Sequence, residues 1–74
     1  MQFDFSKLLG RIKECGYTQE QLAEEIGTTK TTLNLKLNNK AYFTQPEMEK
    51  IRRILCFAIE EIGVYFFTLK VQKN

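Results

Sequence analysis

The chain has no histidine and no tryptophan, and only two cysteines, one proline and four glycines in 74 residues. Without histidine, and with no third or fourth thiol beside Cys15 and Cys56, a zinc site of the usual Cys/His kind has no ligand set. The two cysteines read as small buried or half-buried apolar residues, because unpaired cysteine is among the more buried residue types. A disulfide between them is disfavoured in a reducing cytoplasm. There is no histidine or paired-carboxylate cleft to carry acid/base or nucleophilic chemistry, so the sequence predicts no enzyme and no cofactor. Glu24-Glu25 and Glu60-Glu61 read as solvated helix faces. The longest apolar run, Ile54 to Ile59, falls far short of the ~20 residues that span a bilayer. The start, Met1-Gln2-Phe3-Asp4, lacks the basic and then apolar stretches of a secretory signal. The expectation is a cytoplasmic protein of a bacterial cell with no membrane partner.

What is present favours a folded domain. Apolar residues make up 43% of the chain and include six phenylalanines and three tyrosines, a composition foreign to disorder. Residues 1–74 form one domain, near the lower size at which a single core holds without staples. The net charge of +2 is unevenly spread. Residues 1–27 carry three basic and five acidic groups, residues 28–53 six basic and two acidic, and the remainder is neutral. The asymmetry points to a polyanion docking on one side, with a solvated basic face as the alternative.

Apolar spacing predicts five short helices. Phe5, Leu8, Leu9 and Ile12 define the first, capped by Ser6 and stopped by Gly16. Thr18 opens the second through a capping box with Gln21, and Leu22, Ala23 and Ile26 form its inner stripe before Gly27 ends it. Thr28 or Thr29 caps a third helix that turns Leu33 and Leu37 inward, and Asn38-Asn39 closes it. Thr44 caps the fourth in a second capping box with Glu47, with Pro46 in the first turn and Met48, Ile51, Ile54 and Leu55 inside. Cys56 interrupts this helix; Ile59, Ile62, Tyr65 and Phe66 suggest a short fifth. Phe67, Leu69 and Val71 then alternate with polar residues, the period of a strand, over residues 67–72. A lone strand needs a partner, either its twin in a homodimer or its own domain.

Residues 18–37 carry the informative constellation. Two short helices crossing through a tight turn need a small residue on the first, a glycine at the turn and an apolar anchor about six residues later. Ala23, Gly27 and Leu33 supply these in order. The stretch TQEQLAEEIGTTKTTLNLKLNNK resembles the helix-turn-helix domains of the phage Cro and repressor type. FDFSKLLGRI and EIGVYFFTLKVQ extend the likeness to small Cro-like or repressor-like proteins of phages and prophages of Gram-positive bacteria. The resemblance implies a compact five-helix, all-α, lambda-repressor-like DNA-binding domain with a short C-terminal strand. Its third helix would lie in the major groove. Two positions depart from the pattern: Lys36, where an apolar residue is usual, and Asn39, in place of a glycine.

Carried over residue by residue, the resemblance assigns base contacts to Thr29, Lys30, Thr31, Asn34 and Leu35. It assigns phosphate contacts to Gln19, Thr28, Asn38 and Lys40. The chemistry suits these roles: lysine donates to guanine O6 and N7, threonine offers a hydroxyl and a methyl, and leucine packs on a thymine methyl. Gln19 stands at a helix N-terminus, which favours an anion. Lys50, Arg52 and Arg53 read as surface charge. The expected function is a sequence-specific transcriptional regulator, a homodimer on double-stranded operator DNA. The alternative is a phage modulator or antirepressor that binds an opposing repressor through the helix-turn-helix surface or the apolar Tyr65-Phe66-Phe67 tail.

Overall fold

Helix starts and stops follow from the side chains beside them in a computed structural model that describes residues 2–71. The order is α1 (Ser6–Glu14), α2 (Gln19–Ile26), α3 (Lys30–Leu37), α4 (Gln45–Leu55), a 3-10 turn (Ile59–Glu61) and α5 (Ile62–Phe66). The fold is all-α, as the spacing predicts. Thr18 and Thr44 each accept the N–H three residues on, while Gln21 and Glu47 accept the cap N–H in return. Both predicted capping boxes are present. Ser6 does not cap α1: it is the first helical residue, and Asp4 accepts its N–H at 2.9 Å. Hydrogen bonds from the Ser6 hydroxyl and then its N–H hold the Asp4 carboxyl below its usual range.

Four helices close in one way. The residue after α2 and α4, and the residue one beyond the cap of α1 and α3, turns left-handed, at Gly27, Cys56, Gly16 and Asn39 respectively. In each case the next residue, Tyr17, Thr28, Phe57 or Lys40, donates its N–H back to a carbonyl of the last turn. This closure satisfies carbonyls that a helix end would otherwise leave without partners.

The core gathers Phe5, Leu8 and Ile12 from α1, Leu22, Ala23 and Ile26 from α2, Leu33 and Leu37 from α3, Ile51 and Leu55 from α4, and Phe66 from α5. Phe57, which the periodicity does not single out, joins them at 5% exposure and faces Tyr65 at 4.3 Å between ring centroids. Each fully buried leucine contributes about 2 kcal/mol of transfer free energy. Leu9, expected in the stripe of α1, is instead exposed.

The expected strand over 67–72 reduces to one antiparallel bridge between Phe3 and Leu69; Gln72 lies outside the described residues. Asp4 donates its N–H to the Thr68 carbonyl and Lys70 donates to Gln2 on either side of the bridge. The segment thus folds back on its own domain. It stays short because α1 begins at Ser6, and because the Thr68 hydroxyl is drawn to the Val64 carbonyl at the end of α5. Cys15 and Cys56, expected to be buried or half-buried, are both exposed, since each sits at a helix end.

Candidate functional site

The region singled out by the sequence is the outer face of α2 and α3, the two helices in most extensive contact. Gly27 at φ 80° makes the turn between them, and Leu33 docks behind it with no exposure. Thr29 is the cap of α3. Its hydroxyl accepts the Thr32 N–H at 3.1 Å and donates to the Thr32 hydroxyl at 3.0 Å, so its bonds are committed within the helix. Thr28 is half-buried and gives its N–H to Ala23.

Lys30 and Thr31 stand exposed on the first turn of α3. Gln19, Asn34 and Asn38 converge into one hydrogen-bonded chain. Asn34 donates its carboxamide N–H to the Gln19 side-chain oxygen at 3.4 Å, and Asn38 donates to the Asn34 carbonyl at 2.8 Å and side-chain oxygen at 3.1 Å. Residues assigned separately to bases and phosphates are therefore paired with one another. Lys40 is exposed just past the helix.

Leu35 and Lys36 have opposite fates. Leu35 is 45% exposed, whereas Lys36 is 9% exposed and its ammonium meets both carboxylate oxygens of Glu47 at 2.5 Å. The same carboxylate accepts the Thr44 N–H at 2.8 Å, so one group caps α4 and locks α3 to it. Burial pushes the Glu47 carboxyl up, but the hydrogen bonds from Lys36 and Thr44 outweigh it and hold the group below its ordinary value. Burying Lys36 requires such a partner, because an isolated buried charge is expensive.

The basic segment is thinner than its composition suggests. Arg52 and Arg53 both donate to Glu49, holding its carboxyl down to about 2, and Arg52 also donates to the Phe57 carbonyl at 3.2 Å. With Lys36 also paired, Lys30, Lys40 and Lys50 are the exposed cations of residues 28–53 that form no ion pair among the described residues.

A second surface includes Phe67 of the expected tail but also residues that the sequence did not single out. Tyr42 is 82% exposed and lines a shallow apolar hollow with Phe3, Phe43 and Phe67. Phe67, 50% exposed, also borders a groove with Pro46, Met48, Ile59 and Ile62, and Ile59 is itself 61% exposed. Of the Tyr65-Phe66-Phe67 tail, Phe66 is core and Tyr65 half-buried, so Phe67 is the exposed member. No signal in the sequence sorts these aromatics; only the packing of α5 does. Among the described residues, no group of three or more His, Cys, Asp or Glu gathers, and no helix is long and apolar enough to cross a membrane.

A family model described as "Protein of unknown function (DUF739)" matches residues 1–69. No curated protein matches the chain. Among solved structures, the solution structure of the modulator of repression of the temperate bacteriophage TP901-1 from Lactococcus lactis is similar, with 38% sequence identity. The alignment covers 97% of each chain with a TM-score of 0.77. These findings correct the assignment to the Cro and repressor type of helix-turn-helix family. The physical reason is that Thr18, Ala23, Gly27 and Leu33 meet the packing demands of two short helices across a tight turn, whatever their outer face binds.

Proposed function

The chain belongs to the DUF739 family, and from that premise we propose that it is a phage modulator of repression, a non-catalytic protein that binds a phage repressor and alters its hold on operator DNA. One observation carries this reading. The likeness to the TP901-1 modulator runs through both terminal segments and nearly the whole of each chain, well beyond the two-helix unit shared by many DNA-binding domains. It is therefore a likeness along the whole chain, not of one motif.

The chemistry of the two surfaces agrees with it. Affinity for DNA grows with the number of phosphates neutralised, and the exposed, unpaired cations of residues 28–53 are three lysines. Thr29, Gln19, Asn34 and Asn38 direct their hydrogen bonds to the protein itself. Tyr42, Ile59 and Phe67, by contrast, leave a connected apolar surface in water. Exposed apolar patches mark protein contact sites, and aromatic residues are their commonest anchors. The partner surface is accordingly placed by this proposal on Tyr42, Ile59 and Phe67, with Leu35 outside it.

The test is a gel-shift assay with a phage repressor, its operator DNA and the present chain. The proposal expects no shift by the chain alone at physiological salt, and a change in the repressor–operator band when the chain is added. A sequence-specific shift by the chain alone, with the repressor band unaffected, would return the reading to direct operator binding through Lys30, Thr31 and Leu35.

A further inference from the structure

Of the four left-handed helix closures, the one at α4 is the least suited to its residue. Gly16 and Gly27 have no Cβ to strain, and Asn39 is a tolerant residue whose carboxamide is bonded to Phe3. Cys56, at φ 55° and ψ 49°, has neither excuse. Its side chain is exposed and its thiol reaches only carbonyls of its own last turn, Arg53 at 3.5 Å and Ile54 at 3.9 Å. A side chain held in a disfavoured backbone state without a packing reason points to chemistry.

The other cysteine is beside it. Cys15, at the end of α1, is exposed and turns its S–H to the Leu55 carbonyl at 3.8 Å. That carbonyl belongs to the peptide that leads into Cys56, and standard dimensions put the Cys56 Cα ~3 Å from its oxygen. One turn earlier on α1, Arg11 donates to the Leu55 carbonyl at 3.0 Å and to the Cys56 carbonyl at 3.2 Å. The end of α1 is therefore pinned to the 55–56 peptide by the Arg11 guanidinium and the Cys15 thiol together.

We propose that Cys15 and Cys56 are a redox pair, which a small-molecule disulfide converts into an intramolecular disulfide joining the end of α1 to the end of α4. The thiolate of one cysteine attacks the reagent's S–S bond, forming a mixed disulfide and releasing one reagent thiol. The second cysteine's thiolate then attacks the protein sulfur of that mixed disulfide and releases the second reagent thiol. Two protein thiols are oxidised and one reagent disulfide is reduced to two thiols, so protons and electrons balance. The Cys15 sulfur lies 3.8 Å from the carbonyl oxygen of the peptide that leads into Cys56, so the two exposed side chains meet at one peptide group.

The experiment treats the folded protein with excess glutathione disulfide, alkylates the remaining thiols and measures intact mass. The expected product is a monomer lighter by about 2 Da, with no alkyl group and no glutathione adduct. A peptide cross-linking residues 15 and 56 is recovered, and the melting midpoint is higher, reverting on reduction. Cys15→Ser and Cys56→Ser each stop at the mixed disulfide. Folding should favour the ring over mixed disulfides at least tenfold relative to the same reaction in guanidinium. Two separate glutathione adducts, two unreacted thiols, covalent dimers, or equal ring formation in the unfolded chain would each overturn the proposal.

Discussion

The carboxamide of Asn39 is paired with the peptide group of Phe3 as a neighbouring strand would be. Its oxygen accepts the Phe3 N–H at 2.8 Å and its nitrogen donates to the Phe3 carbonyl at 3.0 Å. The other edge of the same segment meets residues 68–70, so one side chain at the end of α3 fastens the N-terminus and, through it, the C-terminal segment. Asn39→Gly keeps the left-handed backbone but removes both bonds. It should destabilise the protein by about 1–2 kcal/mol, the loss left after glycine's easier geometry is credited. Urea denaturation measures this; a glycine variant as stable as the parent would show the clasp to be idle.

Lys36→Met leaves the Glu47 carboxylate without its ammonium in a largely covered site. The expected loss is about 2–3 kcal/mol at pH 7. The pH dependence has a definite sign. The folded Glu47 carboxyl lies below its unfolded value, so the stability from the ionised pair is present above about pH 4.5 and is lost as pH falls through the folded value. The gap between parent and variant should therefore narrow on acidification below that point. Denaturation series from pH 7 to pH 3 read the gap, and a gap that widens in acid would contradict the assigned partnership.

Two glycines should respond in opposite ways to alanine. Gly27 stands at φ 80° with open space around it, so Gly27→Ala costs about 1 kcal/mol from the backbone alone. Gly10 lies inside α1, exposed, with nothing near a new Cβ, so Gly10→Ala stabilises by about 0.5–1 kcal/mol. Thermal melts of both variants check the pair.

Tyr42→Ala removes a ring that is 82% exposed and should change stability by less than about 0.5 kcal/mol. Affinity for the repressor should nevertheless fall by about 1–3 kcal/mol, because aromatic anchors carry a large share of interface energy. Lys30→Ala should leave that affinity within a factor of about three, since a single exposed charge outside the contact contributes little. Titration calorimetry of the two variants compares them directly.

Much of the fold is legible in the sequence because its signals are local. Thr18 with Gln21 and Thr44 with Glu47 announce two helices within four residues each, and Leu22, Ile26, Leu33, Ile51 and Leu55 reach the core that their spacing implies. What stayed hidden depends on contacts far apart in the chain. Lys36 departs from the apolar pattern because Glu47, eleven residues on, neutralises it. Asn39 replaces glycine because Phe3, 36 residues away, uses its side chain. The basic segment overstated the free charge, since Glu49 occupies both Arg52 and Arg53. The site was the least legible part. Gly27 and Leu33 are required by the packing of α2 on α3, and they say nothing of what lies on the outer face.

Isothermal titration calorimetry of the intact chain against a phage repressor, and separately against that repressor's operator DNA at the same physiological salt, tests the central claim most directly. Saturable binding to the repressor at a fixed stoichiometry, with a negative heat-capacity change from buried apolar surface, is the predicted result. Saturable, sequence-dependent binding to operator DNA together with no heat from the repressor would contradict it.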